Sequence, residues 1–183
     1  NQLRGKILPL NLLEDMSDLI VQHQFDLERI EPAYIDMIRN LDDGGVSAFP
    51  LFDQRVVMFY NNELFDRFGE EPPVDGMTWD EALALARKMT REEDGVQYRG
   101  FAASPTLLIT VNQLSLDFVD WDSNEPTINN EAWQNYISTF LPFYQVPGYD
   151  PVPEVISPAG AAEQFLQEKT AALYLSFNGD HPR

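Results

Sequence analysis

Apolar positions in the first forty residues recur at helical spacing. Leu12, Leu13, Met16, Leu19 and Ile20 fall on one stripe, which predicts a first helix. A second follows in FDLERIEPAYIDMIRNLDDGG. Pro32 suits its first turn, where a missing N–H costs nothing. Tyr34, Ile35, Ile38 and Leu41 form its apolar face, and Gly44-Gly45 end it. The periodicity then changes. VSAFPLFDQR reads as extended chain broken at Pro50, and Val56 to Tyr60 are continuously apolar, the pattern of a strand buried on both faces. The apolar run stops at Asn61-Asn62, whose side chains can bond backbone groups freed where a sheet ends. NNELFDRFG is one short helical turn stopped by Gly69.

The second half alternates in the same way. Thr78-Trp79-Asp80-Glu81 is a capping box, opening a helix with Trp79, Ala82, Leu83, Ala86 and Met89 on one face. REEDGVQ ends it in a turn, and YRGFAAS is a short strand. Ser104-Pro105 starts a helix that the periodicity of TLLITVNQLSLDFV continues. DWDSNEPTINN is a turn with a strand on either side. Asn130 caps a helix bearing Trp133, Tyr136, Ile137 and Phe140, which Pro142 kinks or ends. VPGYDPVPEVISP is a proline-rich loop, PAGAAEQFLQEK a helix capped by Ser157, and TAALYLSF a strand ending at Asn178-Gly179.

Short apolar strands alternating with longer helices predict an α/β fold. In open α/β sheets, ligands sit beyond the C-terminal strand ends. That rule marks three places: after Tyr60, after Ala102-Ala103, and after Phe177.

Composition narrows the chemistry. The 183 residues are 44% hydrophobic and 12% aromatic, a globular composition able to bury a core. Thirty acids against 12 bases give a net charge of −18, which repels nucleic acid and anionic lipid and reads as a solvated acidic surface. Cysteine is absent, which excludes disulfides, thiol nucleophiles and thiolate metal sites. No apolar run reaches the roughly 18 residues of a membrane span. The chain opens on Asn1 and reads as internal sequence, so missing targeting signals say nothing about compartment.

Catalytic signals are nearly nil. His23 and His181 read as surface histidines, and a zinc site on them would need carboxylates to complete it. Asp120, Asp122 and Asn124 match the first three ligand positions of a calcium loop, with Glu131 at the twelfth. The sixth position must be glycine and is Glu125, so an Asp/Ser/Asn turn explains these residues as well. Nothing marks a carboxylate pair among the many acids, which sit at helix starts and turns. No phosphate-cradling loop or nucleophile elbow is present. No metal and no cofactor is expected. What remains is aromatic and amide chemistry at strand ends. Phe49, Phe52, Tyr60, Phe177 and Asn178 are the types that stack on and bond sugars, and equally the types of a plain aromatic core.

The ordered set Pro50, Tyr60-Asn61, Leu64-Phe65, Gly69, Pro72-Pro73 and Thr78 to Glu81 closely resembles the signature region of extracellular solute-binding proteins of ABC importers. It is most similar to the sugar-binding family that includes maltose-binding protein and Bacillus- and Paenibacillus-type lipoproteins. DGVQYRGFA and FLQEKTAALYLSFNGD resemble two later segments, with Glu168 where glycine is usual and Leu173 where methionine is usual.

The resemblance implies a type II periplasmic-binding-protein-like fold of two α/β lobes with ligand between them. Residues 1–50 would be the end of the first lobe, and 51–183 a hinge crossing plus much of the second, within a longer parent. It implies no reaction. It implies a carbohydrate or oligosaccharide ligand, ABC-transporter permease partners, and an extracellular or periplasmic monomer, lipid-anchored in a Gram-positive cell. By position it points to Phe52, Asp53, Gln54, Ser104, Thr106, Asn178, Asp180 and His181 as ligand-binding. Asp180 and His181 stand where the family commonly presents a tryptophan, which argues against a maltose-like ligand. The alternative is a carbohydrate-active hydrolase using a carboxylate pair.

Overall fold

The structure, a computed structural model, describes residues 10, 12–41, 44–120 and 123–179. The chain divides into two compact units, Asn1–Asp53 and Gln54–Arg183.

The first unit holds α1 (Ser17–Gln22), a 3-10 turn (Leu27–Arg29) and α2 (Pro32–Leu41). Ile35 and Ile38 carry the buried face of α2 as the spacing predicts, and Gly44 closes it with φ +99°. α1 is shorter than its apolar stripe. Leu12 and Leu19 are exposed, and Asp15 stops the helix from starting earlier by accepting N–H bonds from Ser17 and Val46. These bonds, with the Ser17 hydroxyl foremost, lower the Asp15 pKa below its ordinary range.

The second unit is built on a four-stranded sheet. Its strands are β1 (Val56–Tyr60), β2 (Arg91–Glu93), β3 (Val96–Ala102) and β4 (Ala171–Phe177), in the order β1-β4-β3-β2. β3 and β4 are parallel, while β1 runs antiparallel to β4 with Val56 opposite Phe177 and Tyr60 opposite Leu173. β4 is the buried centre. β1 is an edge strand, half-buried along Val56–Phe59, so its apolar run does not mean burial on both faces. Asn61 accounts for the stop after Tyr60. Its N–H extends the ladder to the Ala172 carbonyl at 2.9 Å, and its side chain caps α3 (Asn62–Phe68) by accepting from the Glu63 N–H.

Helices flank the sheet. On one face α3, α4 (Trp79–Met89) and α6 (Glu131–Tyr144) pack around Phe65, Phe101, Trp133 and Phe143, with the Phe101 and Phe143 rings 4.4 Å apart. Each such ring contributes roughly 1.5–3 kcal/mol by leaving water. On the other face α8 (Pro158–Ala162) and a π-turn (Glu163–Gln167) cover Ala102 and Tyr174 with Phe165. No described helix is long and apolar enough to cross a membrane.

Five local expectations change. REEDGVQ is a hairpin: Asp94 and Gly95 both have positive φ, as a two-residue turn requires, and β2 pairs with β3. α5 (Pro105–Thr110) ends early, because Val111 leaves helical geometry and Asn112 bonds the Leu116 backbone in both directions. α6 runs through Pro142 to Tyr144, because a proline in the last turn breaks little, and its Ile137 is exposed. The proline-rich loop contains a short helix, α7 (Pro153–Ile156). The Asp120 turn carries one bridge, Val119 to Pro126, in place of two strands.

Candidate functional site

The sheet topology decides which strand ends can share a ligand. β3 and β4 are parallel, so Ala102-Ala103 and Phe177 finish at the same edge. β1 is antiparallel, so its start lies there and Tyr60 lies at the opposite edge. Tyr60 packs edge-on against Phe65, 6.0 Å away, and is not part of this site.

At the shared edge the chain leaves β3 through buried Ser104 and turns into α5. Ser104 Oγ accepts the Thr106 N–H at 3.2 Å, and Pro105 fills the first helical position. Across from it α8 begins with Ser157 Oγ accepting the Gly160 N–H at 2.9 Å. Gly160 is required there, since a Cβ would sit 1.8 Å from the Glu154 carbonyl. The two caps hold α5 and α8 on either side of the strand ends, and a cavity of about 690 Å³ opens between them.

One wall is Ser104, Thr106, Leu107 and Thr110. The other is Pro158, Ala159, Ala161, Ala162 and Leu166, and Tyr174 to Phe177 form the floor. The lining supplies hydroxyls, aromatic rings and small apolar side chains, with no Asp, Glu, Lys, Arg or His among its described residues. A volume of this size suits a small ligand. Behind the site the Tyr144 hydroxyl donates to the Ala103 carbonyl at 2.9 Å. Burial drives the Tyr144 phenol far above its ordinary pKa, so it stays a proton donor that fixes the end of β3. Its neighbour Tyr149 is pushed up to about 12 for the same reason, with Arg99 opposing.

The sequence-predicted residues separate accordingly. Ser104 and Thr106 line the cavity, and Asn178 directly follows the floor residue Phe177. Gln54 opens the second unit, exposed and one residue before Arg55, which Asn178 bonds. Phe52 and Asp53 close the first unit, and Phe52 is 78% exposed. Phe49 packs on Phe25 within that unit. Asp180 and His181 lie outside the described residues, as does Asp122 of the acidic turn. Asp120 accepts the Ser123 N–H, which is turn chemistry, and no described group of three His or acidic side chains is placed to hold a metal. Sequence reasoning missed Thr110, Ser176 and the α8 alanines. Ser176, a buried hydroxyl inside an otherwise apolar strand, was the available signal.

The profile of the bacterial extracellular solute-binding protein family matches residues 5–180. The chain belongs to this family. Its members bind solutes and are not enzymes. Solved structures share the fold at low identity. A solute-binding protein of an ABC transporter from Agrobacterium vitis, with bound D-mannitol, is 17% identical at a TM-score of 0.63, covering 97% of this chain and 43% of its own. An ABC substrate-binding protein from Listeria monocytogenes, in complex with cycloalternan, is 19% identical at 0.63, covering 93% and 44%. A sugar transporter from Rhizobium etli in an open conformation is 18% identical at 0.65, covering 93% and 42%. The chain is thus an α/β piece matching 42–44% of the length of these family structures.

Proposed function

We propose that this chain is the end of the first lobe, the hinge and much of the second lobe of an ABC-importer substrate receptor that binds a neutral carbohydrate or oligosaccharide. Residues 1–50 are read as the end of the first lobe, 51–183 as the crossing and second lobe, and Phe49 to Arg55 as the hinge. The observation that carries the reading is the cavity at the joint ends of β3 and β4, whose described lining residues carry no charge. Its hydroxyls can exchange hydrogen bonds with sugar hydroxyls, and its rings and methyls can cover the apolar faces of a pyranose. Mannitol and cycloalternan, bound by the fold relatives, are ligands of this chemistry. Ser104 and Thr106 would contact ligand from this lobe. Phe52, Asp53, Gln54, Asn178, Asp180 and His181 would contact it from the hinge and the β4 exit.

The rest of the parent would supply the other wall, and lobe closure over ligand would present the receptor to permease subunits. A lipid anchor on a monomeric extracellular or periplasmic parent fits such a role. The hydrolase alternative needs two carboxylates across a scissile bond, and none of the described lining residues is acidic.

The test is a thermal-shift screen of the longer protein against neutral oligosaccharides and polyols, beside peptides, amino acids and metals. A rise in melting temperature with a neutral sugar supports the reading. A rise with peptides or metals and none with any sugar overturns it.

A further inference from the structure

The buried tyrosines of the second unit differ in what their hydroxyls do. The Tyr98 oxygen accepts from the Arg67 guanidinium at 2.8 Å, while Tyr136 and Tyr144 donate to the Leu108 and Ala103 carbonyls. The Tyr149 hydroxyl has no partner among the described residues and is sealed from solvent. Tyr174 is the exception. Only 4% of the residue is exposed, its hydroxyl bonds no described residue, and that hydroxyl is not among the sealed polar atoms. What remains open of it faces the cavity whose floor Tyr174 helps to form.

The ring is held on both sides. Tyr174 lies opposite Phe59 on β1 and Ala102 on β3, and its ring stacks on Phe165 at 5.1 Å and on Phe59 at 6.1 Å. A phenol clamped in this way keeps its oxygen in one place and loses little freedom when a ligand binds. Two other hydroxyls of the lining are already committed. Ser104 Oγ accepts the Thr106 N–H, and Thr110 Oγ1 donates to the Thr106 carbonyl at 2.7 Å. Once a ligand displaces water from the floor, the Tyr174 hydroxyl must bond that ligand or stay unpaired, and an unpaired buried hydroxyl is costly. Such a group rejects an analogue that brings C–H where a hydroxyl is wanted.

We propose that Tyr174 is a specificity-determining residue of this cavity: its hydroxyl bonds one hydroxyl of a bound neutral sugar or polyol and rejects the form deoxygenated at that position. The inference rests on the reading of the cavity as a carbohydrate site.

The experiment is calorimetric titration of the longer protein, wild type and Tyr174→Phe. The probes are the neutral hexoses, hexitols and oligosaccharides of the thermal-shift screen, with the monodeoxy forms of each that binds. Tyr174→Phe deletes the oxygen and keeps a ring between Phe59 and Phe165. Wild type should bind one monodeoxy form about 10- to 100-fold more weakly than the parent sugar. Tyr174→Phe should bind the parent sugar about 10-fold more weakly and no longer discriminate against that one form, a coupling confined to one position of the sugar. The proposal is overturned if wild type binds every monodeoxy form within about threefold of the parent sugar, a result that needs no variant. It is overturned too if Tyr174→Phe binds sugar as wild type does, or weakens every form equally, the mark of a packing role. If wild type binds no sugar, the carbohydrate reading falls and this proposal with it. Sugar bound equally well by Tyr174→Phe sinks this proposal alone.

Discussion

Asn178 holds Arg55 twice: its N–H donates to the Arg55 carbonyl at 2.8 Å, and its Oδ1 accepts the Arg55 N–H at 3.3 Å. This pair lies one step beyond Val56 and Phe177, so the last residue of β4 and the first of β1 are locked at the edge that carries the cavity. A strand end is thereby tied to the stretch read as the hinge. Asn178→Ala removes the side-chain bond and leaves the backbone bond. The expected loss is about 0.5–1 kcal/mol in urea unfolding, with Asn178→Asp retaining most of it. Identical midpoints for wild type and Asn178→Ala would show that the side-chain bond contributes nothing.

Gly100 and Gly160 permit close backbone approaches. A Cβ on Gly100 would lie 1.9 Å from the Ala86 carbonyl oxygen, where β3 passes under α4, and one on Gly160 would lie 1.8 Å from that of Glu154. Neither obstacle is a flexible side chain. Gly100→Ala and Gly160→Ala are each expected to lose about 1–3 kcal/mol or more, measured by urea denaturation. Gly76→Ala is the comparison: it meets no atom within 4 Å, and its cost comes only from φ +83°. If Gly76→Ala proves the most damaging of the three, the close-approach argument fails.

These contacts mark how far the sequence could be read. The capping box at Thr78, the caps at Ser104, Asn130 and Ser157, and the strand of β4 are local signals, and each lies where the pattern puts it. Strand order is not local. A continuous apolar run looks the same at an edge as at the centre, so VVMFY misleads about burial and about which strand ends meet. The Asp94-Gly95 hairpin was legible from the dipeptide. Ser104 and Thr106 were legible as a helix start after a strand, whereas Thr110 and the α8 alanines depend on the packing of two helices across one cavity. Cavities of that kind are products of tertiary structure, and no periodicity encodes them.

The Glu81 carboxylate accepts the Thr78 N–H and the Thr78 hydroxyl, both at 2.8 Å. The backbone bond first, and then the hydroxyl, lower its pKa below the ordinary 4.5. A carboxylate with a depressed folded-state pKa adds stability that is fully present above the unfolded value. That stability is lost as pH falls through the folded pKa. Thr78→Val deletes the hydroxyl and keeps the backbone bond, so the Glu81 pKa should move partway back toward 4.5 in a carboxyl NMR titration. The fall in stability between about pH 7 and pH 3 should shrink accordingly. An unchanged titration in Thr78→Val would assign the whole shift to the backbone.

The cavity between α5 and α8 makes the most direct functional prediction. Thr106 and Thr110 are exposed on the α5 wall, so substitutions there spare the core. Thr110→Trp puts an indole ring into the space between α5 and α8, and Thr106→Ala removes one hydroxyl without filling anything. In the longer protein, calorimetric titration with whichever neutral sugar raises its melting temperature should show Thr106→Ala weakening binding about 3- to 10-fold, the worth of one hydrogen bond. Thr110→Trp should weaken it about 100-fold or abolish it, because a filled cavity excludes the ligand outright. Asn135→Trp, exposed on α6 away from the cavity lining, should bind as wild type. Undiminished binding by a folded Thr110→Trp would place the sugar elsewhere and remove the cavity from the argument.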